Sequence, residues 1–145
     1  ALTVVFTSFA SEIFEDDLPY SLQDNPIKLN DQGYGIFYLD AMDHMERYEG
    51  KTLEFIAQVM IPKGFPTDYF VPGRMAMTCC ADDMTFLGYA CEYEGATKLQ
   101  QKDWVKVTAT IHTEYFAAYN GKGPVWHALS VEKVKAPKEE VISFV

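Results

Sequence analysis

Three thiols are the residues best suited to chemistry in this 145-residue chain. Cys79 and Cys80 are adjacent, opening the stretch "CCADD", and Cys91 follows in "YACEY". Four uses of such thiols compete. Free cysteine is among the most buried residue types, so plain packing is the first. The second is a disulfide: a hairpin centred near Thr85 would set Cys79 opposite Cys91, at the separation of directly opposed strand residues. The third is a soft metal site for zinc or copper, built from Cys79, Cys80, Asp83 and His127, with Asp82 and His112 as alternative donors. The last is a nucleophile, which needs a base or helix N-terminus beside the thiol, and the neighbouring sequence supplies neither.

Backbone geometry decides among them. Consecutive strand residues point to opposite faces, so Cys79 and Cys80 can share an ion only if "CCADD" bends. Ala81 and the two aspartates suit such a bend. Arg74 is expected to pair with Asp83 and tie the bend down, or to snorkel to solvent, with Asp82 and Cys91 in supporting positions. Among the histidines, His44 is expected on a solvated helix face and His112 in the polar phase of a strand. His127 falls in an apolar phase and is expected as a hydrogen-bonded core residue. No GxSxG, HExxH or phosphate-cradling glycine loop occurs in the sequence.

The elements that must hold these residues are mostly strands. Before them, "IKLNDQGYGIFYLDAMDHMERYEGK" predicts a short strand, a cap at Asn30 or Asp31, and a helix striped by Tyr34, Tyr38, Ala41, Met45 and Tyr48, stopping at Gly50. "TLEFIAQVMI" then alternates, with Leu53, Phe55, Ala57, Val59 and Ile61 on one face. "PKGFPTDYFVPG" reads as a break, "RMAMTCC" and "TFLGYACEY" as the next two strands. "DWVKVTATIHTEYF" puts Val105, Val107, Ala109 and Ile111 on one face, "NGKG" reads as a turn, and "PVWHALSVEKV" puts Val125, His127, Leu129 and Val131 in phase. Five strands and one helix predict a mainly β (α+β) chain, a five-stranded, partly open barrel of the OB type. Residues 1–30 are expected as an acidic N-terminal arm packing on the body, with 31–145 forming the helix and barrel of a single domain. An open-faced α+β roll is the alternative.

Composition narrows the partners. The formal charge is −9, from 12 basic and 21 acidic residues. Such a surface repels phosphate backbones and anionic lipid, so nucleic acid is not an expected partner. The aromatics Trp104, Trp126, Tyr69, Phe70, Tyr115, Phe116 and Tyr119 are therefore expected in packing, with a few left for a partner. The opening run "ALTVVFTSFA" is about half the ~20 residues a membrane-crossing helix needs, and it lacks the charged region that starts a signal peptide.

Three stretches carry a family resemblance: "YEGKTLEFIAQV", "DYFVPGRMAMTCCADD" and "DWVKVTATI". The chain resembles the C-terminal soluble domain of a bacterial permease-subunit family, a domain of unknown function encoded beside a predicted permease. The matching positions in the second stretch are Arg74, Met77, Thr78, Cys79, Cys80 and Asp83, and the likeness spans roughly residues 34–137. Asp82, where the family has a small residue, and Cys91 depart from the pattern. The resemblance implies an extracytoplasmic location, a membrane anchor through a segment absent here or a lipid, and a permease or other protein as partner. It implies no reaction. The reading is a non-enzymatic accessory domain whose cysteine pair handles a soft ion, with a thiol or redox-active protein and a plain interaction module as rivals.

Overall fold

The computed structural model describes residues 13–77 and 84–144. A short strand β1 (Ile27–Lys28) leads into the helix α1 (Asp31–Asp43). The Asn30 side chain accepts the Gly33 N–H at 2.7 Å, satisfying one of the donors that a first helical turn leaves unpaired. Phe37 joins Tyr34 and Ala41 on the buried face, whereas Tyr38 is half-buried. The helix ends before the predicted stop. A 3-10 turn at Met45–Arg47 continues the chain, and Gly50 takes a φ of +75° just before the next strand. Met45 and Tyr48 thus reach the core from that turn and not from α1.

Among the described residues one mixed sheet contains every strand: β1, β2 (Thr52–Met60), β3 (Tyr69–Met77), β4 (Met84–Gly88), β5 (Cys91–Glu92), β6 (Trp104–Phe116), β7 (Gly121–Lys133) and β8 (Val141–Ser143). Pairing runs from β2 to β6, β6 to β7, β7 to β5 and β5 to β3, and β3 pairs back onto β2. The path therefore returns to its start. β7 and β5 are parallel and the other steps antiparallel. Where β2 and β3 diverge, β1 adds to β2 and β8 adds to β3, both in parallel.

Three expectations about strands need correction. Among the described residues the sheet has eight strands: the short strand expected before the helix is β1, and β8, too brief to display a period, is an addition. "DYFVPG" is strand and not break: Phe70, Pro72, Arg74 and Ala76 share the buried phase of β3. Pro72 is tolerated there because β3 changes partners around it, β5 before and β4 after. "TFLGYACEY" divides into β4 and β5 for the same reason. Gly73 and Gly88 face each other where the backbones crowd, and a Cβ on Gly73 would lie 2.5 Å from the Leu87 carbonyl oxygen.

In the last long strand Val125 is buried and Val131 packs on the core as expected, but His127 and Leu129 leave the apolar phase. The turn before it is Ala117–Asn120, with Asn120 in the left-handed region at φ +57°, so "GKG" already belongs to β7. Ile111 then faces Trp126 and Ala109 faces Ala128. A bulge leaves Leu129 unmatched and exposed before Val131 meets Val107. Trp126 is fully buried, against Phe55 at 4.9 Å and Phe37 at 5.6 Å between ring centres. Leu53, Phe55, Ala57 and Val59 of β2 and Val105, Val107, Ala109 and Ile111 of β6 line the same core, as their alternation predicts.

Candidate functional site

His127 of β7 turns outward, and that exposes the most organised cluster of ionisable groups among the described residues. Glu92 lies directly across the parallel β5–β7 pairing from His127, and Tyr69 lies across from Glu92 on β3. Glu114 and His112 stand on the outward phase of β6. The His127 ring is held at both nitrogens. Nδ1 meets Glu92 Oε1 at 3.2 Å, and Nε2 meets both Glu114 oxygens at 3.0 Å. Tyr69 donates its hydroxyl to Glu92 Oε2 at 3.3 Å. The His112 ring stands edge-on to His127 with centres 5.7 Å apart, and its Nδ1 meets Glu49 Oε2 at 3.2 Å. The Thr113 N–H donates to the other Glu49 oxygen at 2.9 Å.

The electrostatics follow from this arrangement. Partial burial of His127 favours its neutral form, but the hydrogen bonds to Glu114 and Glu92 outweigh it and raise its pKa above the ordinary 6.5. Burial and the Glu92 carboxylate raise the Tyr69 phenol. At Glu49 burial acts upward, yet the Thr113 and His112 hydrogen bonds hold the carboxyl below its usual range. The two carboxylates on His127 occupy opposite edges of the ring, so their oxygens and the ring nitrogens do not converge on a common point. Accordingly, no group of three or more His, Cys, Asp and Glu among the described residues could hold a metal ion.

Of the residues singled out from sequence, Cys79, Cys80, Asp82 and Asp83 lie outside the described residues. His127 sits beside the Tyr69 end of β3. His127 is a half-exposed surface residue and not the core histidine expected. Cys91 is a free, buried thiol, and burial pushes its pKa up. It faces Phe70 across β3, and Thr85 faces Ala76 within the β3–β4 ladder, so the hairpin centred on Thr85 that would oppose Cys91 to Cys79 does not form. His44, expected in solvent, is half-buried at the end of α1 and meets Glu46 at 3.2 Å.

Arg74 does not snorkel. It is 1% exposed, in the inward phase of β3, and donates to Asp31 Oδ1 at 2.7 Å and to the Glu139 carbonyl at 2.7 Å. Its guanidinium carbon also lies 5.2 Å from the centre of the Trp104 ring. It joins the start of α1 to the segment before β8. A second buried network has the same structural character. Tyr20 donates to Tyr48, which donates to Asp40 at 2.6 Å, and Arg47 reaches the other Asp40 oxygen at 2.8 Å. Asp40 lies beside the predicted helix stripe and not in it, and its partners Arg47 and Tyr48 are brought round to it by the 3-10 turn that follows α1.

Of the aromatic residues singled out from sequence, Tyr115 stands exposed and the others pack. Phe116 is ringed by Phe65 at 5.4 Å, Tyr69 at 4.9 Å and Tyr119 at 5.0 Å between ring centres. The Tyr119 hydroxyl accepts from the Ala90 N–H and donates to the Pro124 carbonyl.

Comparison with known proteins gives one broad likeness and one faint one. The family described as the DUF1980 C-terminal domain matches residues 7–142 of the chain. No curated protein matches it. Among solved structures, the mitochondrial single-stranded DNA binding protein of S. cerevisiae aligns over 60% of this chain and 97% of its own, with 10% identity and a TM-score of 0.35.

Proposed function

The chain belongs to the DUF1980 C-terminal domain family, and from that premise we propose that it is an OB-like binding domain, non-enzymatic, serving a membrane permease at the extracytoplasmic face of a bacterial cell. The observation that carries the barrel is the pairing path that returns to β2, with a parallel step between β5 and β7 and a hairpin between β6 and β7. That order suits a five-stranded Greek-key barrel, with β4 and β5 as the two halves of its third strand. A protein partner fits better than a nucleic acid. The net charge of −9 opposes a phosphate polymer, and the rings that would stack on bases are packed against one another.

In this reading the chemical asset is Cys79–Cys80, with Asp83, in the six-residue connection between Met77 and Met84. Paired thiolates favour a soft ion, zinc or copper(I). Reduced protein titrated with each metal should take up one equivalent. The Cys79→Ser, Cys80→Ser variant should bind at least about tenfold more weakly, or ~1.4 kcal/mol. Equal affinity in parent and variant would end the metal reading and leave a plain interaction module. Rapid alkylation of Cys80 at neutral pH, without metal uptake, would favour the thiol-active alternative. The permease association is tested separately, by co-purification with the permease encoded beside the chain.

A further inference from the structure

We propose that His127 is a proton-operated clasp on one of the two shortest steps of the pairing path, fastening β5 to β7 when protonated and releasing it when neutral. β5 is joined to β7 only through Cys91↔Trp126 and Glu92↔His127, supported by the Trp126 N–H donating to the Ala90 carbonyl at 2.8 Å. On its other side it meets β3 only at Tyr69 and Phe70. By contrast, the β2–β6 and β6–β7 ladders run nearly the full length of their strands. The step between β5 and β7 therefore depends on side chains, and His127 supplies the tie.

The chemistry is a matter of counting protons. An imidazolium carries an N–H on each nitrogen and can donate to Glu92 and Glu114 together. The neutral ring has one N–H, so one nitrogen must then turn a lone pair towards a carboxylate. Glu114 engages Nε2 with both oxygens at 3.0 Å, whereas Glu92 meets Nδ1 with one at 3.2 Å. Deprotonation therefore releases Glu92, the only one of the two that stands on β5. The charged and titratable groups facing this ring are Glu92 from β5, Glu114 and His112 from β6, and Tyr69 from β3 by way of Glu92. Asp68 adds its field at Tyr69, and Glu49 stands behind His112.

The sign follows from the raised pKa. Stabilisation by the clasp is complete below the unfolded value of about 6.5 and is lost as pH climbs through the higher folded value. The inference rests on the geometry of the β5–β7 step, with the raised His127 pKa giving its sign, and is independent of the permease reading.

Amide hydrogen exchange on the intact chain tests it. After correction for intrinsic exchange, the Trp126 amide should lose about tenfold protection between roughly pH 5.5 and 8.5, while amides of the β2–β6 ladder hold theirs. In His127→Gln that difference should vanish. Protection at Trp126 that stays level with pH in the parent, or falls equally in the β2–β6 ladder, would overturn the proposal. So would a variant that keeps the parent's pH response. If the variant does not fold, NMR titration of the His127 ring in the parent decides the matter: a midpoint above 6.5 supports the clasp, and one at or below 6.5 refutes it.

Discussion

Arg74 of β3 ties the start of α1 to the segment before β8. Its charge is buried, and it is offset by the Asp31 carboxylate, by carbonyl oxygens of the segment before β8 and by the face of Trp104. Arg74→Met keeps the length and apolar stem but leaves those acceptors unpaired. Because Asp31 is partly solvated, the loss falls short of that for a fully buried pair, and a decrease of about 2–4 kcal/mol in unfolding free energy is expected. Urea denaturation of parent and variant measures it. Sequence could mark Arg74 as unusual, since it precedes an apolar strand, but it could not name Asp31. That partner lies 43 positions away and meets it only after α1 docks on the sheet. The same holds at His127. Its place on the last long strand is legible, but its orientation, and with it the approach of Glu92 and Glu114, depends on a register that the sequence does not display.

Among the elements, β2 and β6 could be read from sequence because each alternates strictly and each has one buried face. β7 could not, since a strand with a bulge changes phase along its length and the turn before it fixes which phase comes first. Once Asn120 is placed in the left-handed region, the register with β6 puts Trp126 inside. β3 resisted for another reason: it shifts from one partner to another at Pro72–Gly73, so its pattern belongs to four neighbours. Two glycine substitutions separate crowding from conformational strain. Gly73→Ala would force a Cβ into the Leu87 carbonyl and should cost about 3 kcal/mol or more. Gly64→Ala, in open space at φ +82°, should cost only about 1 kcal/mol. Thermal unfolding of both variants gives the comparison, and equal losses would contradict the crowding at β3.

Across the whole molecule, the sheet is finished by segments from near both ends of the sequence. β1 and β8 flank the divergence of β2 and β3, and Arg74 reaches the residues adjoining each. On a ribosome β3 emerges long before β8 does. During that interval the residues Met75–Met77 offer a bare hydrogen-bonding edge, and the guanidinium beside them lacks its carbonyl acceptors. Unsatisfied edges of this kind recruit strands from other chains. A version ending at Pro137 should therefore expose that edge permanently and form aggregates in light scattering at concentrations where the full chain stays monodisperse. β8, which also sets Ile142 in the core, acts in this way as an internal chaperone against self-association.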